Sequence, residues 1–427
     1  MSGQGADRVD VRRHNLSLVL RLLASGGPRS RAGIAAVTGL TKATVSSLVG
    51  ELIGRRLVRE RGPESAQRLG RPATLVELDG SHVVTLGVEI NVGHVGVLGA
   101  DLRGNAVYER RRPLAIEASD VGRVVALVVE EINRAAGFLH DRHCMVAGVT
   151  LAIPGVVDDD RGVVTFAPNL AWRGVHLRQL LAGRLHVTGE PAMFNEANLG
   201  ALAEHRVGGH GAVQDLVYIL AGDGVGAGVI VGGNLLLGVG GGAGEIGHTT
   251  VQARGRLCTC GGRGCWETLI AARGLLHDTL PDEAEAMLAD SKLTAESRVA
   301  KVTARAHAKD RAVIDGLTAY GRWLGIGLAN VVNTFNPSVI VLGGFLPDIA
   351  PWVLPEALET LVRNALAESA RTCRIELTRL GFSPSARGAT IHAAERVFAD
   401  PMVVAPTGLS APGGGGGGGR AAGRCDP

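Results

Sequence analysis

No apolar run in these 427 residues reaches the roughly 18 that a helix needs to cross a bilayer, so no membrane partner is expected. The opening stretch, residues 1–15, carries charges and lacks the apolar segment of a secretory signal. Cysteine is scarce, and three of the six fall within residues 258–265. Such clustering points to metal ligands in a reducing compartment rather than to disulfides, and the cytoplasm is the expected location. Cys144 and Cys373 lie in apolar, strand-like runs and read as core residues; Cys425 reads as a free thiol. There is little net charge, only +3, but it is unevenly placed. Residues 1–80 hold 13 Lys and Arg against 7 Asp and Glu, a net of +6, which leaves −3 for the rest. A basic head on a mildly acidic body suggests that the head meets a polyanion.

Apolar residues are plentiful at 46%, enough for two or three domains. In the head, Leu16, Val19, Leu20 and Leu23 recur at helical spacing, and Ser25 to Pro28 ends that helix. Ile34, Ala35 and Val37 are expected to face inward on a short second helix, with a turn at Gly39-Leu40. Thr41 is placed to cap a third helix, on which Val45, Leu48, Val49 and Leu52 bury one face. Helix, tight turn, helix is the layout that sets a second helix into the major groove of DNA. The outward positions of that helix, Lys42, Ala43, Thr44, Ser46 and Ser47, are small or hydroxylic with one cation. Together with Thr41 they suit close approach to base edges and phosphates. Two short strands around a Gly/Pro/Ser-rich tip follow, a wing whose Arg68 and Arg71 would enter a minor groove.

Beyond residue 80, strand sets alternate with helices: three strands from His82, a helix over residues 119–138, an apolar strand over 145–153, more strands from 215, and long helices over 295–332. This predicts an α/β body of two similar lobes with a cleft between them. One further run, residues 241–268, concentrates chemistry. His248, Cys258, Cys260 and Cys265 are soft donors, and a Cys-x-Cys-Gly-Gly-x-Gly-Cys knuckle folds three thiolates around one zinc, with His248 at the fourth corner. Glu245 and Glu267 flank the knuckle, so the metal would pin two carboxylates and an imidazole near one point.

GEIGH followed by CTCGGRGCWE resembles the signature of the ROK family of sugar kinases and sugar-responsive repressors. The resemblance implies an α/β chain: a winged helix-turn-helix followed by a two-lobed, actin-like sugar-kinase fold with a zinc knuckle. The expected division is 1–80 for the head, 81–200 with a returning helix at about 386–400 for the first lobe, 201–385 for the second, and a Gly-rich tail over 401–427. Zinc ligands would be His248, Cys258, Cys260 and Cys265. Sugar contacts would be Asn169, Asn195, Glu196, Glu245, His248 and Glu267, with Glu196 at the family's general-base position. The family's phosphate-binding Asp-x-Gly-Gly-Thr-Lys aligns here with Glu89, Ile90, Asn91, Val92, Gly93 and His94, which lacks both of the motif's glycines, replaced by Asn91 and Val92, and its lysine, replaced by His94. A second phosphate loop survives as residues 222–228, but with Asp223 where the family has threonine. A carboxylate there would repel phosphate. The expected protein is therefore a sugar-sensing regulator without catalysis, with operator DNA and a monosaccharide or sugar phosphate as partners. A homodimer or dimer of dimers is expected, because palindromic operators need paired heads. The alternative is an ATP-dependent sugar kinase carrying an accessory DNA-binding head.

Overall fold

The computed structural model describes residues 8–62, 74–114, 119–290, 293–381 and 383–406. The head opens with helix α1 (Arg8–Gly26), turns at Gly27 with φ 68°, and continues through strand β1 (Arg29–Ser30) into α2 (Arg31–Thr38). Gly39 caps α2 at φ 72°, a backbone that favours glycine. The Thr41 hydroxyl then accepts from Thr44 N at 3.1 Å and starts α3 (Lys42–Gly54). Strands β2 (Val58–Arg61) and β3 (Leu75–Leu78) pair antiparallel as the base of the wing. Arg68 and Arg71 lie outside the described residues. The expected core positions on α1 and α3, together with Ile34, are at most 2% exposed. Val37 is 59% exposed, a correction to the inward set. Positions 35 and 37 of one helix are about 160° apart, so both cannot face the same core.

The first lobe is a five-stranded sheet. Strands β4 (Val83–Ile90), β5 (His94–Asp101) and β6 (Ala106–Pro113) form a meander, joined on the β4 side by parallel β7 (Met145–Ile153) and β11 (Ala192–Asn195). Helix α4 (Val121–His140) covers it. A small sheet of β8 (Val156–Asp158), β9 (Val163–Ala167) and β10 (Trp172–Val175), then α5 (Leu177–Leu181), interrupts the lobe before β11. Helix α6 (Glu196–Val207) leaves β11 and packs on the second sheet. That sheet has the order β14 (Asn234–Leu235), β13 (Val225–Val231), β12 (Leu216–Ala221), β15 (Val339–Gly344), β16 (Arg374–Leu377). Helices α7 (Glu267–Ile270), α8 (Ala272–Thr279), α9 (Pro281–Ala289), α10 (Ala295–His307), α11 (Arg311–Phe335), α12 (Leu346–Asn364) and α13 (Ala367–Thr372) build its core around Trp266 and Tyr320.

The last helix, α14 (Pro384–Ala399), returns to the first sheet and lies on β4 and β7. It sits so close that a Cβ on Gly87 of β4 would lie 2.1 Å from Ala386 O. At its far end Ala394, Val397 and Phe398 join the core of the head, alongside Leu16, Val19 and Leu20. Head and body therefore share one apolar cluster, and each buried Leu or Phe in it contributes about 1.5–3 kcal/mol. Among the described residues no single helix is long and apolar enough to cross a membrane; the bent pair α2 and α3 passes only by joint length and composition. Cys373 is buried with a free thiol. Cys144 is buried too but disulfide-bonded, which corrects the expectation of a chain without bridges. Spacing could not reveal this, because a bridge depends on which Cα atoms the fold brings within about 7 Å.

Candidate functional site

Several chain segments converge on one cleft of about 220 Å³ between the lobes. Among them are the β4–β5 hairpin (Glu89, Asn91, Val92, His94), the loop after β9 (Asn169), the N-terminus of α6 (Glu196), the β12–β13 hairpin (Gly222 to Gly224) and the start of α14 (Pro384, Ser385). Strand ends at a lobe junction are where α/β folds leave a crevice for a ligand.

Asn195 has a structural task. Its Oδ1 accepts from Ala197 N at 2.7 Å and Asn198 N at 3.2 Å, which caps α6, while its Nδ2 donates to Gly155 O at 2.9 Å. Glu196, one residue on, opens into the cleft. Burial pushes its carboxyl up to about 8, helped by the negative charges of Glu89 and Asp223. Asn91 Nδ2 lies 3.5 Å from Glu196 Oε2. Asn169 and Glu267 meet at Gly224, where a Cβ would sit 2.6 Å from Asn169 Nδ2 and 2.8 Å from Glu267 Oε2. Glycine at 224 thus keeps that corner open. Glu267 Oε2 accepts from Val225 N at 3.0 Å, and its Oε1 accepts from the Cys258 thiol at 3.4 Å. Glu245 stands 3.8 Å from His248 Nε2; burial raises its carboxyl, with His248 opposing and Glu267 adding to the rise.

The donor atoms of His248, Cys258, Cys260 and Cys265 all lie within 4.8 Å of one another, so the fold gathers the predicted metal set. His248 Nδ1 points at Cys258 Sγ across 3.6 Å, and Cys260 and Cys265 sulfurs are 3.7 Å apart. Positive φ at Gly261 and Gly264 makes the knuckle, and a Cβ on Gly264 would lie 1.6 Å from Gln252 O. Burial pushes the Cys258 thiol up to about 12 and also raises Cys265. Three crowded sulfurs, those of Cys258 and Cys265 buried and that of Cys260 partly so, and one imidazole nitrogen suit a tetrahedral dication, whose charge would hold the sulfurs as thiolates. The cluster fits a metal.

At the other end of the cleft the structure amends the electrostatics. Asp223 is not an isolated negative charge: Arg298 Nη1 approaches its Oδ1 at 3.2 Å, and burial raises the Asp223 carboxyl against that pull. Sequence reasoning missed Arg298, although it interrupts the apolar face of α10 formed by Ala295, Val299, Val302 and Ala306. Such an interruption on a buried face was the available signal. Across the cleft, Glu89 accepts from Ser383 Oγ at 3.0 Å and faces His94 Nε2 at 3.4 Å, and His94 Nδ1 is 3.1 Å from Arg111.

On the head, Thr41, Lys42, Ala43, Ser46 and Ser47 are exposed on the α3 surface, while Thr44 is half-buried and hydrogen-bonded to Thr41 at 2.9 Å.

Known proteins agree with this layout. A model described as the ROK family matches residues 85–396, and one described as the MarR family matches residues 17–68. The xylose repressor of Bacillus subtilis is 30% identical over 350 residues, covering 82% of this chain and 86% of that protein. A glucokinase of Streptomyces coelicolor is also 30% identical, over 64% of this chain and 84% of the kinase. The crystal structure of a ROK family transcriptional regulator, a homologue of the E. coli Mlc protein, superposes with a TM-score of 0.76 at 23% identity. That match covers 92% of this chain and 98% of the other, and it shows the fold.

Proposed function

The chain belongs to the ROK family, and from that footing we propose that it is a sugar-responsive transcriptional repressor, a kinase fold reused as a receptor. The observation that carries the reading is the pairing of two parts. A helix-turn-helix head with small, hydroxylic residues on its second helix shares an apolar core with α14, the helix whose other end lines the cleft. Likeness to a xylose repressor along both parts supports it.

In this reading α3 enters the major groove of operator DNA, with Thr41, Lys42, Ala43, Thr44, Ser46 and Ser47 toward bases and phosphates and Arg68 and Arg71 on the wing. A monosaccharide or its phosphate binds between the lobes. Asn169, Glu196, Glu245, His248 and Glu267 supply the hydroxyl contacts, and Asn195 holds the α6 terminus that presents Glu196. The metal is zinc, as the soft donor set suits, and it fixes His248 and Glu267 in place. Bound sugar shifts the equilibrium between lobe arrangements and so changes the spacing of two heads in a homodimer or dimer of dimers. Release from DNA is the expected direction, and each tenfold change in operator affinity requires about 1.4 kcal/mol of preference for one state. Such a protein works in the cytoplasm.

No catalysis is assigned. Glu89, Asn91, Val92 and His94 stand where a kinase of the family holds phosphates, and the Asp223–Arg298 pair occupies the second loop. The competing reading is an active sugar kinase, favoured by the Glu196 carboxylate at the base position and by likeness to a glucokinase. Fluorescence anisotropy with the DNA flanking its own coding region, with and without a panel of sugars, tests the proposal. Sugar-dependent loss of binding supports it. In a coupled assay with ATP, turnover above about 1 s⁻¹ on any sugar would overturn it in favour of the kinase.

A further inference from the structure

Carboxylates crowd one end of the cleft. Glu89, Glu196 and Asp223 line it together, with Glu296 and Asp348 also on its wall. Three potential cations stand among them, and each is already matched. Arg298 is 9% exposed, and its Nε donates to Met287 O at 3.2 Å, its Nη2 to Leu288 O at 3.5 Å and its Nη1 to Asp223 at 3.2 Å. Arg111 meets His94 Nδ1 at 3.1 Å and Glu296 at 3.4 Å, and His94 Nε2 faces Glu89 at 3.4 Å. The Arg387 side chain has no hydrogen-bond or ion-pair partner among the described residues. It lines a separate pocket of about 160 Å³, which shares Glu89, His94 and Arg111 with the cleft as a common wall.

Glu196 and Asp223 both line the cleft and so open onto the same space. A sugar hydroxyl that reaches Glu196 therefore enters the space that Asp223 also lines. Esterifying that hydroxyl would set a phosphate dianion against the Glu89 and Asp223 carboxylates, with the Arg298 guanidinium held back by three acceptors. An uncharged hydroxyl meets no such repulsion and can both donate and accept there.

Resting on the reading of the cleft as a sugar receptor, we infer that its ligand is an unphosphorylated, uncharged sugar. The Asp223–Arg298 pair is the device that rejects phosphorylated ligands, sugar esters and nucleotides alike. Asp223 supplies the repulsive charge, and Arg298, by being tied to it and to two backbone carbonyls, is withheld from any phosphate.

Titration calorimetry on the full-length protein tests this, with neutral aldoses and ketoses each paired with its own phosphate ester at pH 7. The neutral member of the best-binding pair should bind at least tenfold tighter than its ester. Asp223→Asn removes the charge at nearly constant volume and releases Arg298, so the neutral-to-ester ratio should shrink about tenfold. Arg298→Gln, which leaves Asp223 without its partner, should widen that ratio or leave it unchanged. An ester that equals or beats its parent sugar would overturn the inference, more so if Arg387→Ala abolished that binding. A ratio unmoved by Asp223→Asn in a protein of unaltered melting temperature would overturn it as well. If no sugar and no ester binds, the receptor reading falls first, an outcome distinct from an ester that binds better.

Discussion

Glu196 shows how one residue's environment sets its chemistry. With burial and two neighbouring carboxylates pushing its pKa up to about 8, it stays protonated near neutrality and presents a donor to a sugar hydroxyl. The folded state holds this proton between about pH 4.5 and pH 8 while the unfolded chain has lost it. Stability must then fall as pH rises through that window, by at most about 1.4 kcal/mol per pH unit, and by less because the cleft admits water. Melting temperatures of the wild type should decline from pH 6 to pH 8 more steeply than those of Glu196→Gln; parallel curves would remove Glu196 from the account. At Cys258 the expectation concerns the metal. Cys258→Ser should lose stoichiometric zinc, read by atomic emission, and weaken the sugar response, since the Cys258 sulfur lies 3.4 Å from Glu267. Full zinc occupancy in that variant would contradict the ligand set. Both residues were legible in the sequence as carriers of chemistry, Cys258 from spacing and Glu196 from the motif around it. The pKa of Glu196 was not, because Asp223 and Glu89 approach it only in the folded chain.

Among the elements, α3 was the most readable, since its N-cap, its buried i, i+3, i+4, i+7 face and its small outward residues are all local features. Lys42→Ala should weaken operator binding and lower the slope of log K against log salt by about 1; an unchanged slope would deny it a phosphate contact. Helix α2 was misread at Val37 because eight residues present too narrow a face for three inward positions. The contact between α6 and α14 was not readable at all. There the helix backbones meet at Gly388, where a Cβ would lie 1.8 Å from Leu199 O. Gly388→Ala should therefore cost about 1–3 kcal/mol or more through overpacking, seen as a lower melting temperature. A glycine inside a helix announces close approach to something, but not to what.

At the scale of the whole molecule, α6 and α14 run side by side from the cleft to the head. Glu196 and Ser385, at their N-terminal ends, line the cleft, while Arg206, Val207, Ala394 and Phe398, at the other ends, line a groove between head and body. In the proposed mechanism, movement of one lobe against the other would be delivered through these helices to the face on which α1 rests. Phe398→Ala should loosen that seat at a cost of about 3 kcal/mol or more. Sugar affinity should survive while the sugar-dependent change in operator affinity shrinks, an outcome read by anisotropy with and without ligand. A variant that keeps the full change would place the coupling elsewhere.

The amino-acid sequence alone determined the helix-turn-helix, the strand sets and the metal knuckle, because each is written in residues a few positions apart and obeys local periodicity, capping and ligand spacing. Only the tertiary structure decided that Arg298 pairs with Asp223 from 75 residues away, that Cys144 is bridged, and that α14 carries the cleft's floor into the core of the head. Those pairings depend on which distant surfaces exclude water against each other, and no short-range pattern encodes that choice.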